Sequence, residues 1–135
     1  MTCIFCEIIS GEIFSHKAYE DSHVMAFLDI RPINPGHVLV VPRKHYADLF
    51  DMSHDEYGHL MDVVKKIAER VKKSFKPPRV GLMVVGFDVD HAHVHVVPLQ
   101  NAGDITSKKL LDGSAVLRDS QLLAEDAEKL QNNLQ

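Results

Sequence analysis

Eight residues organise this sequence: His91-Ala92-His93-Val94-His95-Val96-Val97-Pro98. Three histidines alternate with small or β-branched apolar residues, and alternation with a period of two is typical of a β-strand. We therefore expect the three imidazoles on one face of a strand, with Ala92, Val94 and Val96 on the other face, toward a core. Pro98 is expected to end the strand because it has no N–H to donate.

The three imidazoles suit two kinds of site. Alternate residues on one face of a strand have α-carbons ~7 Å apart. A neutral imidazole offers one lone pair and one N–H, so such an array can bind a metal ion or contact a phosphate group. The competing interpretation is a histidine-rich, half-exposed strand without a function. Strict alternation within an apolar stretch favours a functional site.

Length and composition predict a single domain with an ordinary globular core. The chain has 135 residues, of which 45% are hydrophobic and 25% are charged. The net charge of -4 and a pI near 6.1 argue against general binding to nucleic acid or to anionic membranes, which usually requires a basic excess. A small nucleotide is not excluded, because it needs only a local cluster of donors.

The N-terminal stretch predicts a cytoplasmic location. Met1–Cys6 lacks a basic segment and a long apolar run, and Glu7 follows at once, so we expect no secretory signal. No apolar run approaches the length of a membrane span. In the cytoplasm two cysteines are more often thiols or metal ligands than a disulfide.

Cys3 and Cys6 form a C-x-x-C motif that leaves three interpretations open. A redox pair would require a thioredoxin-like βαβ context, which the sequence does not indicate. The pair could also be two free thiols near a terminus. The third interpretation is half of a zinc site, which needs two further ligands from elsewhere in the chain.

Hydrophobic patterning predicts strands on both sides of a central turn. Asp21-Ser22 joins the two strands of a hairpin, and Asn34-Pro35-Gly36-His37 places Pro and Gly where a tight turn needs them. The strand 80–86 is expected to pair with the histidine strand across 87–90. The predicted strands are 17–20, 23–30, 37–42, 80–86 and 91–98.

One long helix and one C-terminal helix complete the predicted fold. Ser53 and Glu56 form a capping box, and apolar residues then recur at three- and four-residue spacing until Pro77-Pro78. Asp119 or Ser120 can cap the final helix. We expect an α+β domain, with a mostly antiparallel sheet of about five strands and the helix 53–75 packed on one face.

Two motifs in this chain resemble those of the histidine triad (HIT) superfamily. The stretch 91–97 fits the pattern His-φ-His-φ-His-φ-φ, where φ is apolar, and 36–45 fits Gly-His-x-Leu-Val-x-Pro-x-x-His. The opening 3–13 is similar to that of bacterial HINT-like members with an N-terminal C-x-x-C. The resemblance implies a single HIT domain over 1–135, with a variable tail from about 104, and a homodimer.

The resemblance also implies a reaction at the α-phosphate of an AMP- or GMP-type nucleotide, with purine nucleoside phosphoramidates or dinucleoside polyphosphates as substrates. His93 would be the nucleophile and form a nucleotidyl-histidine, a role that a neutral imidazole suits. His95 and His37 would donate hydrogen bonds to the non-bridging oxygens. Asp29 and Ile30 would contact the nucleoside, with Asp29 on the ribose. The competing interpretation of Asp29 is a strand-end residue that begins a turn.

For the metal, the resemblance implies one structural zinc ion. Members with the two cysteines bind it through this pair, the first triad histidine and the histidine of Pro-x-x-His. The implied ligands are Cys3, Cys6, His45 and His91.

The loop before the triad departs from the usual HIT pattern. Most members have an Asn near the end of the preceding strand and then a Gly-Gln pair, whereas this chain has Gly86 followed by Phe87-Asp88-Val89-Asp90. The leaving-group contact is therefore undefined. Two alternatives stay open: a nucleotide-binding signalling module with little catalysis, and a zinc hydrolase in which the triad itself binds the metal.

Overall fold

The computed structural model describes residues 2–106 and 115–132. Within these residues the chain forms an α+β fold of one antiparallel five-stranded sheet, as predicted, and three α-helices, of which two were predicted. The helices are α1 (Ile4–Ser10), α2 (His54–Phe75) and α3 (Ser120–Asn132), and the strands are β1 (Lys17–Glu20), β2 (Val24–Leu28), β3 (Val38–Pro42), β4 (Arg79–Met83) and β5 (Val94–Leu99). Part of the tail predicted to vary, at 107–114 and 133–135, lies outside the described residues.

The sheet has the strand order β1-β2-β3-β5-β4, and all neighbours are antiparallel. Helix α2 packs on one face through Leu60, Val64 and Ile67, which meet apolar side chains of the central strands. Its N-terminus follows the prediction, because Ser53 Oγ accepts a hydrogen bond of 3.2 Å from Glu56 N–H. Helix α3 begins as predicted, since the Asp119 carboxylate accepts from the first turn.

Helix α1 covers the opposite face of the sheet and was not predicted from the sequence. Phe5 and Ile8 pack there on Met25, Phe27 and Leu39. The side chain that caps the helix is Cys3, whose sulfur accepts a hydrogen bond from Cys6 N–H, and cysteine is not among the usual capping residues. The strands β2 and β3 are thus buried on both faces, which explains why they are apolar throughout.

The prediction that all three triad histidines lie in one strand is wrong. Strand β5 begins at Val94, so of the three only His95 belongs to it. The preceding Ala92 N–H donates instead to the carbonyl oxygen of Tyr46 at 2.6 Å, which turns the chain away from the sheet before β5 starts. Strand β4 also ends earlier than predicted, at Met83 and not at Gly86, because its pairing with β5 stops at His95.

The alternation itself has the predicted consequence for burial. Ala92, Val94 and Val96 lie in the core beneath α2. His91, His93 and His95 are also buried, each at 2% exposure or less, so the interpretation as a half-exposed strand does not apply. The side chains on both sides of this segment are enclosed.

Pro98 does not end strand β5, which continues to Leu99. Pro98 lies opposite Val80 of β4, beyond Val96, where the pairing with β3 stops. Its carbonyl oxygen accepts a hydrogen bond from Asn34 Nδ2 at 2.9 Å, on the side that β3 has already left. Since the N and C=O of a strand residue face the same side, the missing N–H removes no ladder bond.

No helix in the described part of the chain is long and apolar enough to cross a membrane.

Candidate functional site

The ring of His93 is held in one tautomer. Its Nδ1 lies 2.6 Å from the carbonyl oxygen of His91, which can only accept, so Nδ1 carries the proton and Nε2 keeps its lone pair. The ring is buried with its edge against Phe5, at 5.1 Å between ring centroids. Nε2 has no hydrogen-bond partner among the described residues. A buried, unprotonated nitrogen without a partner is available to a ligand or to an electrophile.

A second set of hydrogen bonds orients His95. The backbone N–H of Ile33 donates to His37 Nδ1 at 3.0 Å, so the proton of His37 lies on Nε2. That Nε2 lies 2.9 Å from His95 Nδ1 and donates to it, which leaves the proton of His95 on its own Nε2. His95 can therefore donate a hydrogen bond from Nε2 to an anion.

The same hydrogen bonds favour a role for His37 other than the one expected from the sequence. His37 was expected to donate directly to a phosphate oxygen, but both of its ring nitrogens are already used, by Ile33 and by His95. Its Nε2 is also 3.7 Å from Asp29 Oδ2, too far for a hydrogen bond. In this arrangement His37 orients the ring of His95, and neither of its own ring nitrogens is left to donate to a ligand.

Burial keeps these rings neutral. Loss of hydration lowers the pKa of His37 to about 3, with smaller contributions from the neighbouring His95 and His93 rings. Loss of hydration, followed by the His93 ring, lowers the pKa of His95 to about 4. At neutral pH the relay therefore carries no positive charge, and its hydrogen bonds depend on neutral tautomers.

The predicted turn at 34–37 places His37. His37 N–H donates to the carbonyl oxygen of Asn34 at 3.2 Å, and Gly36 has a φ of +96°, which glycine adopts without strain. A β-carbon added at Gly36 would lie 2.7 Å from the ring of Phe75, the last residue of α2. The turn and the end of the helix are therefore in close contact.

The position of Asp29 is compatible with both interpretations, a turn residue and a ligand contact. Oδ1 accepts from Arg31 N–H at 2.9 Å and so begins a turn, whereas the carboxylate also lines a cavity of about 600 Å³ together with Ile30. Burial raises the pKa of Asp29 to about 6, against the opposing effect of the hydrogen bond from Arg31 and with a smaller contribution from the charge of Asp88.

We call this space the nucleoside cavity, after the ligand part that the resemblance implies for Asp29 and Ile30. Its walls combine apolar side chains with a few polar groups, the composition typical of a pocket for a small organic ligand. The apolar part comes from α1, β2 and β3, and the polar part from Asp29, Asp88 and the start of α3. The lining includes Phe5, Ile8, Phe27, Leu39, Leu117, Arg118 and Ser120.

The four implied metal ligands come together in the structure. The Sγ atom of Cys6 lies 3.3 Å from Nδ1 of His45 and 3.5 Å from Nδ1 of His91, and Cys3 Sγ lies 3.4 Å from the same His91 nitrogen. In a tetrahedral zinc site with ordinary bond lengths, a sulfur and a nitrogen ligand are separated by about 3.5 Å. We call these four residues the cysteine cluster. Among the groups of described residues that could hold a metal, it is the one that contains cysteine.

The tautomer of His91 also fits metal binding. Its Nε2 lies 2.8 Å from the carbonyl oxygen of Pro42 and donates to it, so the lone pair is on Nδ1, which faces the sulfurs. The ring of His91 thus faces the cysteine sulfurs, whereas the ring of His93 does not belong to that group. The alternative in which all three triad rings bind one catalytic metal does not fit, because the ligand atom of His91 belongs to the cysteine cluster.

Comparison with known proteins identifies the family of this chain. A profile described as the HIT domain matches residues 10–102. The chain belongs to the HIT family. An uncharacterised HIT-like protein from Methanocaldococcus jannaschii is 46% identical over 100 residues, which cover 71% of this chain and 78% of that protein. The adenosine 5'-monophosphoramidase of Schizosaccharomyces pombe is 33% identical over 102 residues, covering 75% and 77%.

The HIT fold is shared with solved structures over nearly the whole chain. A zinc-bound histidine triad family protein from Mycobacterium smegmatis is 31% identical and superposes with a TM-score of 0.80, covering 99% of this chain and 94% of that one. The prediction of HIT membership and of an α+β HIT fold is therefore confirmed.

Sequence reasoning missed two parts of this HIT site. Phe5 and Ile8 of α1, and the segment 117–120 before and within α3, line the nucleoside cavity although no motif marks them. Asp88, in the divergent loop, places Oδ1 at 3.4 Å from His93 Nε2. The sequence located the departure in this loop but gave no sign that the carboxylate faces the ring of His93.

Proposed function

We propose that this chain is a nucleotide hydrolase that acts at the α-phosphate of purine nucleotides through a nucleotidyl-histidine. The observation that carries the proposal is the buried lone pair of His93 Nε2, held by the hydrogen bond from Nδ1 to the His91 carbonyl. A neutral imidazole in this tautomer has its lone pair on Nε2 and can act as a nucleophile. The name of the S. pombe relative supports a phosphoramidase activity.

The reaction has two displacements at phosphorus. In the first, the Nε2 lone pair of His93 forms a bond to the α-phosphorus, and the leaving group departs with its bonding pair and takes a proton from solvent. In the second, a water oxygen bonds to phosphorus, the P–N bond breaks, and its electron pair returns to Nε2 while the water proton goes to solvent. The products are a nucleoside monophosphate and the free leaving group.

The other residues act on binding and charge. Nε2–H of His95, fixed by the relay through His37, donates to a non-bridging oxygen, where negative charge is stabilised in the transition state. Asp29 is placed in the nucleoside cavity to accept from ribose hydroxyls, and Ile30 lines the same cavity.

We also infer that Cys3, Cys6, His45 and His91 hold a structural zinc ion. Two observations support this: the tautomer of His91, which directs the Nδ1 lone pair toward the sulfurs, and a donor set of two cysteines and two histidines. The zinc-bound M. smegmatis structure also supports it. A bound zinc ion would cross-link helix α1 to the segment that carries His93, and would supply binding energy to the fold rather than a step in the reaction.

A homodimer and a cytoplasmic location remain proposals. Strand β4 is at the edge of the sheet, and apolar side chains are exposed on and after it: Leu82 at 48%, Val84 at 47% and Val85 at 43%. An exposed apolar edge strand is a surface that a second copy can cover. Sedimentation at micromolar concentration should give a dimer, and a monomer would contradict this proposal.

The experiment that tests the proposed function is a search for the covalent intermediate. Wild-type protein mixed with adenosine 5'-phosphoramidate and quenched in alkali should gain the mass of a nucleotidyl group on the peptide that contains His93. The second candidate, a binding module with little catalysis, is favoured only by the carboxylate of Asp88 facing the nucleophile. Tight nucleotide binding without turnover or adduct would select that candidate and overturn hydrolysis.

A further inference from the structure

The nucleoside cavity has more polar side chains in its wall than the proposed ribose contact uses. The polar and charged residues of its lining are Ser15, His16, Asp29, Asp88, Arg118, Asp119 and Ser120. In a mostly apolar pocket, a few polar groups of this kind fix the orientation of the ligand and give specificity. Their partners within the protein decide which of them can contact a ligand.

Three of the charged side chains are engaged elsewhere. The guanidinium of Arg118 donates two hydrogen bonds to the buried carboxylate of Asp126, at 2.7 and 3.1 Å. The carboxylate of Asp119 caps helix α3. Asp88 places Oδ1 at 3.4 Å from His93 Nε2, on the side of the proposed reaction. Besides the proposed ribose contact Asp29, the polar side chains that remain are Ser15, His16 and Ser120.

The order of the strands places the segment 15–16 beyond Asp29. Counted across the sheet, His95 is on β5, His37 precedes β3, Asp29 follows β2, and 15–16 precedes β1. A backbone hydrogen bond of 3.0 Å from Leu28 N–H to the carbonyl oxygen of His16 fixes this segment beside the end of β2. Neighbouring strands are ~4.8 Å apart, so 15–16 lies about one strand farther from His95 than Asp29 does. A nucleotide with its α-phosphate at His95 and its ribose at Asp29 would therefore direct its base toward 15–16.

The hydroxyl of Ser15 is the first group that the base would meet there. Its Oγ is buried and has no hydrogen-bond partner among the described residues. A buried polar atom without a partner costs free energy, and a bound ligand can remove that cost. A serine hydroxyl can donate and accept, and rotation about χ1 lets it face the cavity that its residue lines.

His16 and Ser120 form a second polar group in the same wall. His16 Nε2 lies 3.3 Å from Ser120 Oγ, and the His16 ring packs edge to face on Phe14. Whichever of the two atoms donates, the Ser120 hydroxyl keeps the capacity for a further hydrogen bond. Ser120 is the first residue of α3 and lies beyond 10–102, the stretch that the HIT profile matches. This contact is therefore a feature of the C-terminal helix of this chain.

We propose that Ser15 and the His16–Ser120 pair select the base by hydrogen bonds to its edge farthest from the sugar; this rests on the proposed function, which places the α-phosphate at the triad. In a purine that edge carries N1 and the substituent at C6. The ligand class is a purine nucleotide with a polar group at C6. A hydroxyl can accept from the C6 amino group of adenine or donate to the C6 oxygen of guanine, so both bases can use this contact.

The test measures binding and needs no turnover. Isothermal titration calorimetry gives the Kd of the full chain for AMP, for GMP and for purine riboside 5'-monophosphate, which has only hydrogen at C6. We expect the tighter-binding of AMP and GMP to bind about three- to tenfold more tightly than the purine riboside nucleotide, the effect of one net hydrogen bond. Whether AMP or GMP binds more tightly identifies the preferred base.

Variants then assign the preference to these side chains. In Ser15→Ala/Ser120→Ala the ratio of the two Kd values should fall toward one, while the Kd for the purine riboside nucleotide stays near the wild-type value. Helix α3 keeps its cap in this variant, because Asp119 supplies it. Ser10→Ala removes an exposed hydroxyl on α1 that does not line the cavity, and should keep the wild-type ratio. Since each ratio compares two ligands on the same protein, a general loss of stability does not imitate the effect.

The outcomes separate this inference from the proposed function. Equal affinity of the wild type for all three nucleotides, or a ratio unchanged in the double variant, would overturn the inference and leave hydrolysis in place. A preference that the double variant loses, without turnover or an adduct on His93, would support the base contact and overturn hydrolysis. Binding of none of the nucleotides would overturn both.

Discussion

The backbone carbonyl oxygen of His91 lies 2.6 Å from Nδ1 of His93, so the residue whose ring belongs to the cysteine cluster also fixes the tautomer of the neighbouring ring. The ring of His91 is in turn held by the Pro42 carbonyl at 2.8 Å. The proposed zinc site and the proposed nucleophile are therefore connected through one residue. A displacement of His91 would change both.

Replacement of the nucleophile should abolish the covalent route. His93→Ala is expected to lose at least ~10³-fold in turnover and to form no nucleotidyl adduct. Steady-state kinetics and mass spectrometry of the quenched protein measure the two effects. His54→Ala, which removes an exposed histidine at the start of α2, is the matched control and should keep activity. Wild-type turnover in His93→Ala would contradict the mechanism.

The relay predicts a graded response at His37 and His95. His95→Ala removes the donor to phosphate and should cost on the order of 10²-fold in kcat. His37→Ala removes only the group that orients His95, so a smaller loss is expected. His37→Gln can still accept from Ile33 N–H and donate to His95, and should recover part of that loss. Equal activities for the alanine and glutamine variants would show that this relay has no role.

Zinc should contribute more to stability than to chemistry. Protein purified without added zinc should contain close to one equivalent by metal analysis. Cys3→Ser should lower the melting temperature more than it lowers the rate of the chemical step, because metal binding is linked to folding. Ser10→Ala, on the same short helix, is the control and should change neither. No bound metal, together with an unchanged melting temperature in Cys3→Ser, would disprove the site.

Asp29 should have opposite effects on stability and binding. Its pKa is raised from 3.8 to about 6 by burial, so its contribution to stability is present below pH 3.8 and is lost as the pH rises through 6. Above pH 6 the folded protein buries a charged carboxylate, which lowers its stability. Asp29→Asn removes that charge and should raise the free energy of unfolding near pH 7.5 by about 1–3 kcal/mol, but not near pH 3.5. The same variant should raise KM more than it lowers kcat. Urea titrations at both pH values measure the first effect, and a stability gain that is independent of pH would refute this explanation.

Sequence patterns predicted the sheet and the long helix, because these depend on periodicity within one segment. The candidate site and zinc residues were predicted from the resemblance to HIT motifs. The start of β5 could not be predicted, since it depends on a hydrogen bond between Ala92 and Tyr46, which are distant in sequence. The role of His37 depends on which ring nitrogen carries a proton, and only the contact with Ile33 decides that. Helix α1 is short and is capped by a cysteine, so it lacks the usual signals of a helix start.

The contact between Gly36 and Phe75 has a consequence for comparisons among HIT sequences. Positive φ and the nearby ring both restrict position 36, whereas the ring at position 75 has to fit against that turn as well as against the core. In relatives that keep the turn, side-chain volume at the two positions should be inversely correlated: a larger residue at 36 requires a smaller one at 75. Such covariation would link the last turn of a helix to a histidine that it does not touch.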